Sequence, residues 1–276
     1  MPNRFTKMHG IGNDFVIVDW REDAGRIPNA ARIAALADRH TGVGFDQLIS
    51  IEPARDPSCE FYYGIWNADG TPSGQCGNGV RCVAAWLYRD GVIERGTDVR
   101  LESPSGPVTV RVLDEGRVVV DMGEPDFDPA SLPFTALGLA ATYTLDVVGE
   151  RITFGAVSMG NPHAVVFDDD LADPRIDLLG PALTVDPAFP EGVNVGFAQR
   201  LGPDRIRLRV HERGSGWTRA CGTGACAAAA VAQSLGMAAP VVNVELPGGT
   251  LTIEWHGPGH TLWMTGPAAF VFEGEV

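Results

Sequence analysis

The chain has 276 residues, 45% of them hydrophobic and 20% charged, with a formal net charge of −14 and a pI near 4.7. This is the composition of a soluble globular protein of one large or two ordinary domains. The acidity argues against nucleic acid and anionic membrane as partners, because both need a basic face.

No apolar run approaches the ~18 residues of a membrane span. The first residues, MPNRFTKMHG, carry no apolar signal core. Five cysteines make an odd number that does not suit a disulfide framework. The expectation is a cytoplasmic chain with reduced thiols.

In chain order, residues 5–19 read as a strand, a glycine loop from His9 to Asp14, and a second strand. Pro28 opens a helix that runs to Arg39, with Ile33, Ala34, Leu36 and Ala37 on one side and Gly42 and Gly44 after it. Residues 48–52 and 60–66 read as strands. Residues 67–85, NADGTPSGQCGNGVRCVAA, place Cys76 in a Cys-Gly-x-Gly turn. A helical run over 80–88 follows and stops near Gly91. Residues 100–120 alternate around Pro104 and the turn Asp114-Glu115-Gly116, which predicts a β-hairpin. Residues 118–121 close a first lobe.

Residues 151–157 and 164–167 are strands around SMGNPH. Asp168 to Asp170 and Asp173 form an acidic patch, a solvated turn or helix start. Residues 192–197 and 205–210 are strands. Residues 212–230, ERGSGWTRACGTGACAAAA, place Cys221 in a Gly-Thr-Gly turn before an alanine-rich run. Alanine is the best helix former, so 225–235 reads as a helix ended by Gly236. Residues 241–246 and 250–255 form a hairpin over Pro247-Gly248-Gly249. Residues 262–267 look like the counterpart of 118–121, and 268–272 are a last strand that returns to the first lobe.

The chain repeats itself. Asn161 follows Asn13 by 148 residues, Asn194 follows Gln47 by 147, and Cys221 follows Cys76 by 145. Near-constant offsets over polar landmarks indicate a duplicated domain, with a period too long for a solenoid. The expected fold is α+β, with two pseudo-symmetric lobes, each a mostly antiparallel sheet wrapped around a central helix. The boundaries are residues 1–120 with 267–276 for the N-terminal lobe and 121–266 for the C-terminal lobe.

Both Cys76 and Cys221 then stand at helix N-termini, where unpaired N–H groups and the helix dipole favour negative charge and lower a thiol pKa. One such cysteine is more often a buried small hydrophobe. Two at matched points of a repeat favour chemistry in a shared cleft. Cys59, Cys82 and Cys226 break the repeat and read as core. No C-x₂-C pair supports zinc, and redox pairs usually sit two residues apart on one turn.

Two separated thiols suit another task. One takes a proton from a carbon acid and the other returns one on the opposite face, while the N–H groups of Gly77, Asn78, Gly222 and Thr223 stabilise the developing charge. Arg213 suits a substrate carboxylate and Glu212 an ammonium, although adjacent Glu and Arg are often a surface pair. His163 is a core histidine or a group that tunes a thiol. Asn13, Gln47, Asn67, Asn161 and Asn194 suit a zwitterion rich in ammonium and carboxylate.

The motifs FTKMHGIGNDFVIVD, ADRHTGVGFDQ, NADGTPSGQCGNGVRC, SMGNPHAVVF, FPEGVNVGFAQ and ERGSGWTRACGTGACAAA, in this order, resemble diaminopimelate epimerase. The resemblance implies a cofactor-independent, cytoplasmic, homodimeric isomerase that converts LL- to meso-diaminopimelate for lysine and peptidoglycan synthesis. It implies Cys76 and Cys221 as the acid–base pair, with Cys221 taking the α-proton of the LL isomer and Cys76 returning one. It implies His163 and Glu212 as groups that tune the thiols. Substrate contacts are implied for Asn13, Gln47, Asn67, Gly77, Asn78, Asn161, Asn194, Glu212, Arg213, Gly222 and Thr223. No metal is implied. Trp217, where the family pattern has an acid, and Gly74 are departures. A racemase for another amino acid, such as proline, and a non-catalytic amino-acid-binding protein are the other readings.

Overall fold

The computed structural model describes residues 4–22, 29–113, 116–136 and 138–276. Pro28, expected to open a helix, and Asp114 and Glu115, expected in a turn, lie outside these. The chain divides into two compact units, Met1–Asp121 with Thr265–Val276, and Met122–Met264.

The first unit begins with strands β1 (Arg4–Gly10) and β2 (Asn13–Asp19), paired antiparallel so that Gly10 faces Asn13. Ile11 and Gly12 are the two linking residues, both at positive φ (47° and 91°). That is the hand a two-residue hairpin turn demands, and it strains the β-branched Ile11. Helix α1 (Ala30–Ala37) starts on Asn29, whose side chain accepts from Arg32 N. Its face of Ile33, Leu36 and Ala37 packs into a core with Val16, Val18, Trp20, Phe45 and Leu48. Strand β3 (Gln47–Pro53) runs parallel to β2, and β4 (Phe61–Asn67) runs antiparallel to β3.

After β4 comes helix α2 (Gly77–Arg89), followed by β5 (Asp98–Ser103), β6 (Gly106–Val112) and β7 (Arg117–Asp121). Residues 100–120 therefore hold parts of three strands, not one hairpin, because the chain turns at Pro104 and again after Val112. β5 pairs parallel to β4. Helix α2 packs on β1, β2, β3, β6 and β7. Val80, Cys82, Val83, Ala84 and Leu87 are each fully buried there, and burying a Val or Leu side chain is worth about 1.5–3 kcal/mol.

The second unit opens with β8 (Tyr143–Val147), a strand not anticipated from the sequence, against β9 (Glu150–Ser158). From there the order of the first unit recurs. β9 pairs antiparallel with β10 (Pro162–Phe167), and β11 (Asn194–Gly202) lies parallel to β10. Between them comes α3 (Arg175–Thr184). The acids expected at a turn or helix start stand ahead of it: Asp168 and Asp173, with Glu150, converge on Arg175 at its first turn, and Ile176, Leu179 and Leu183 join Phe154, Phe189 and Phe197 in the core.

β12 (Arg205–Glu212) is antiparallel to β11 and folds back on the short β13 (Gly216–Thr218). Helix α4 (Gly222–Ser234), β14 (Val241–Leu246) and β15 (Gly249–Glu254) follow, with β14 parallel to β12. The helix packs on β9, β10, β11, β12, β14 and β15. β16 (Trp263–Pro267) leads out of the unit, and β17 (Ala269–Glu275) pairs with β1 of the first. Each unit is thus an α+β body whose sheet, mostly antiparallel with parallel crossovers, encloses one helix. No helix among the described residues is long and apolar enough to cross a membrane.

Candidate active site

Each enclosed helix begins on a cysteine. Cys76 is the N-cap of α2 (φ −139°, ψ 111°) and Cys221 that of α4 (φ −127°, ψ 105°), both extended, as an N-cap must be. The helices start at Gly77 and Gly222, earlier than the sequence predicts. Glycine is a poor helix former, but here it costs little against the packing of the helix behind it.

Around Cys76 the first unit gathers Asn13, Asn78, Gln47 and Asn67. Cys76 Sγ lies 3.6 Å from Asn13 Oδ1 and donates to it. Asn78 Nδ2 donates to the same oxygen at 3.2 Å. Gln47 Nε2 donates to Asn67 Oδ1 at 3.0 Å, across the β3–β4 register that sets the two residues side by side. Behind them stands a charge cluster that sequence reasoning missed. Lys7 donates to Asp14 and to Gly44 O, and Arg39 Nη2 bridges Asp14 (2.7 Å) and Asp46 (2.8 Å). Burial alone would raise the Asp14 carboxyl, yet hydrogen bonds from Arg39 and Lys7 hold it below the usual carboxylate range.

Around Cys221 the second unit gathers Asn161, His163, Thr223 and Glu212. Sγ accepts the Gly224 N–H at 3.3 Å and lies 3.7 Å from Thr223 Oγ1. Asn161 Nδ2 donates to Thr223 Oγ1 at 3.4 Å, and the Asn161 Oδ1 accepts from His163 Nε2 at 3.0 Å. His163 is almost wholly buried. Burial, with the Arg213 charge behind it, pushes its pKa down to about 3, so it is neutral. Thr218 Oγ1 donates to Glu212 Oε1. Arg213 N donates to Asn194 Oδ1 at 2.9 Å, and its Nη1 donates to Glu191 O at 2.7 Å.

Gly224 packs tightly against the sulfur. A Cβ there would come within 3.1 Å of Cys221 Sγ and 3.0 Å of Val210 Cγ2.

The thiol electrostatics differ from expectation. A helix N-terminus lowers a thiol pKa, but Cys221 is only 3% exposed. Burial, and then the Glu212 carboxylate, push it well up despite the Gly224 N–H. The free protein therefore holds Cys221 as a thiol. Cys59, Cys82 and Cys226 are buried in the core, and burial pushes Cys82 up to about 12.

Trp217, the departure from the motif, packs against the core of the second unit. It packs under Arg209 (4.4 Å to the ring centroid), edge-on to His211 (5.3 Å) and beside Phe197 (6.0 Å). Gly74 sits where a Cβ would meet Ser105 Oγ at 2.5 Å.

The diaminopimelate epimerase family matches residues 5–127 and 155–271. Among solved structures, a hydroxyproline epimerase from Agrobacterium vitis, with trans-4-hydroxy-L-proline bound, is similar at a TM-score of 0.70 and 19% identity, over 99% of this chain and 92% of that one. A phenazine biosynthesis protein of the PhzF family from Bacillus anthracis is similar at 0.69 and 15% identity, over 100% of this chain and 99% of that one. At these identities the likeness is one of fold.

Proposed function

The chain belongs to the diaminopimelate epimerase family and is an amino-acid epimerase or isomerase, and on that premise we propose that it interconverts LL- and meso-2,6-diaminopimelate without a cofactor. The observation that carries the reading is the cysteine N-cap at the start of each enclosed helix, met by amide, hydroxyl and carboxylate groups of its own unit. The two cysteines serve one substrate carbon. One sulfur removes the α-proton as the other delivers a proton to the opposite face, and reversal exchanges the roles. The N–H groups of Gly77, Asn78, Gly222 and Thr223 stabilise the carboxylate as charge develops on it.

A base must be ionised, and Glu212 works against that in the free protein. The substrate ammonium supplies the missing positive charge. Paired with Glu212, it cancels that carboxylate's part of the upward push on Cys221, burial being the larger part, and so favours the thiolate when substrate is in place. His163, neutral, orders Asn161 and through it Thr223 beside the sulfur. Arg213 grips a substrate carboxylate. Asn13 stands at the reacting end beside Cys76, and Gln47, Asn67 and Asn194 hold the far end, which in diaminopimelate carries a second ammonium and carboxylate. Uncharged amides of this kind suit a zwitterion.

The protein supplies lysine and peptidoglycan synthesis in the cytoplasm. It works as a homodimer, a reading supported by the exposed apolar residues Phe270, Val271 and Phe272 on β17.

The test is proton NMR of LL-diaminopimelate with reduced enzyme in D₂O. Deuterium at one α-carbon together with meso product supports the reading. Exchange only with another amino acid, such as proline, keeps the chemistry and moves the substrate. Exchange with none returns the chain to a binding role.

A further inference from the structure

Arg81, on the second turn of α2, is fully buried, and its guanidinium only donates. Nη2 donates to Asn78 Oδ1 at 2.9 Å, and Nη1 donates to Gly77 O at 3.2 Å. With its oxygen so engaged, Asn78 turns its Nδ2 outward, where it donates to Asn13 Oδ1 at 3.2 Å. Asn13 in turn donates from Nδ2 to Asp46 Oδ2 at 2.9 Å. A carboxylate only accepts.

The chain Arg81, Asn78, Asn13, Asp46 therefore has a donor-only group at one end and an acceptor-only group at the other. Every hydrogen bond in it runs one way. Reversing the Asn13 amide would set its oxygen against the Asp46 carboxylate and its NH₂ against the NH₂ of Asn78. Asp46 is itself clamped, since Asp14 N donates to its Oδ2 at 3.1 Å and Arg39 Nη2 to its Oδ1 at 2.8 Å.

We infer that Asp46 is a positioning residue that locks the Asn13 amide so that its oxygen, not its NH₂, faces Cys76 Sγ. An oxygen 3.6 Å from the sulfur accepts the thiol hydrogen and so favours the protonated sulfur. Cys76 is thereby kept protonated, as the sulfur that delivers a proton to the substrate must be. The inference rests on the acid–base role proposed for Cys76. Of the other titratable groups that act on Cys76, Tyr63 of β4 is pushed up by burial, and so is Cys82 of α2. Both stay neutral near pH 7, while Arg81 and Asp46 carry charge at the two ends of the hydrogen-bonded chain and Arg39, Asp14 and Lys7 carry charge behind Asp46.

The experiment follows iodoacetamide labelling of the Cys76 peptide by mass spectrometry from pH 6 to 10 in three proteins: wild type, Asp46→Ala and Asp46→Asn. Alanine removes the acceptor. Asparagine keeps a carbonyl oxygen for Asn13 Nδ2 while removing the charge. With Asp46→Ala the Asn13 amide loses the acceptor end of its lock and keeps only the Asn78 end, so its NH₂ turns to the sulfur part of the time, and the labelling pKa should fall by about half a unit, a roughly threefold faster reaction at a fixed pH below it. The rate at the alkaline plateau, which reports access, should not change. Asp46→Asn should stay close to wild type.

An unshifted pKa in Asp46→Ala overturns the inference. So do equal shifts in both variants, which would mean charge at a distance and not amide orientation. Should the alanine variant not fold, Asp46→Ser, too short to reach Asn13, takes its place under the same criteria. Diaminopimelate is absent from these assays, so failure here and failure of the substrate assignment are separate results.

Discussion

The carboxylate of Glu212 lies against the thiol of Cys221, held there by the Thr218 hydroxyl, and next to burial it is the main influence that keeps that thiol protonated. The pair sets a carboxylate beside the group that becomes an anion in the proposed mechanism. Such an arrangement is unfavourable in the free protein and becomes favourable once a cation sits between the two. Glu212→Gln should therefore move the pH profile of Cys221 labelling to lower pH in the free protein. Turnover should fall at least about tenfold, because the ammonium loses its counter-charge. Peptide-resolved alkylation and kcat together check this, and an unmoved or upward-shifted labelling profile would refute it.

His163 gives a signed pH effect on stability. Its pKa is near 3 in the folded protein, while an unfolded histidine titrates near 6.5. Between these values the unfolded chain binds the extra proton, so stability falls as the pH drops through this window and is restored above it. The linkage amounts to about 2 kcal/mol between pH 7 and pH 5. Urea unfolding at the two pH values should show a pH-dependent loss in wild type that is smaller by about this amount in His163→Gln. An equal loss in both would mean that the histidine is not buried neutral.

Gly224→Ala tests the seating of the sulfur. The new methyl group lies 3.1 Å from Sγ and 3.0 Å from Val210, so the sulfur has to move by a few tenths of an ångström. Misplacement on this scale should lower kcat by about tenfold or more. Overpacking should cost about 1–3 kcal/mol at the same time. Full activity together with native stability would show that the contact is slack.

Lys7 and Asp14 form an ion pair whose side chains are only 8% and 16% exposed. Lys7→Met leaves Asp14 with Arg39 alone. The expected cost is about 3 kcal/mol in urea unfolding, the lower end for a broken buried pair, since one cation remains. A cost within about 0.5 kcal/mol would place the pair among surface bridges of little weight.

The sequence made the duplicated plan legible where composition and spacing speak directly. The alanine run announced α4, and the glycine turns announced that Cys76 and Cys221 open helices. It failed where contacts cross strands. Thr218 reaches Glu212 only because β12 folds back onto β13, which sets Gly216 opposite Glu212. Asp46, beside Gln47, has the look of any surface aspartate until β2 and β3 are paired. Helix α3 was hidden by Gly180 and Pro181 within it and by the acids before it. The thiol pKa of Cys221 went the wrong way because helix position can be read from a sequence, whereas burial beside a particular carboxylate cannot.

Helix α4, enclosed on its sides by strands, has a further consequence. Residues 225–230 are each fully buried, one after another, so this stretch has no outer face. Every position there is limited by the same narrow bore, which explains why alanine fills it. In a saturation mutagenesis survey, α1 should show tolerance rising and falling with each helical turn, since Ala30, Ala31, Arg32, Ala34 and Ala35 are exposed on it. The stretch from Ala225 to Ala230 should instead appear as an unbroken block of intolerance, in which even valine or leucine is rejected. Drift in this family would then pass over α4 almost untouched and collect on the outer surface of the strands around it.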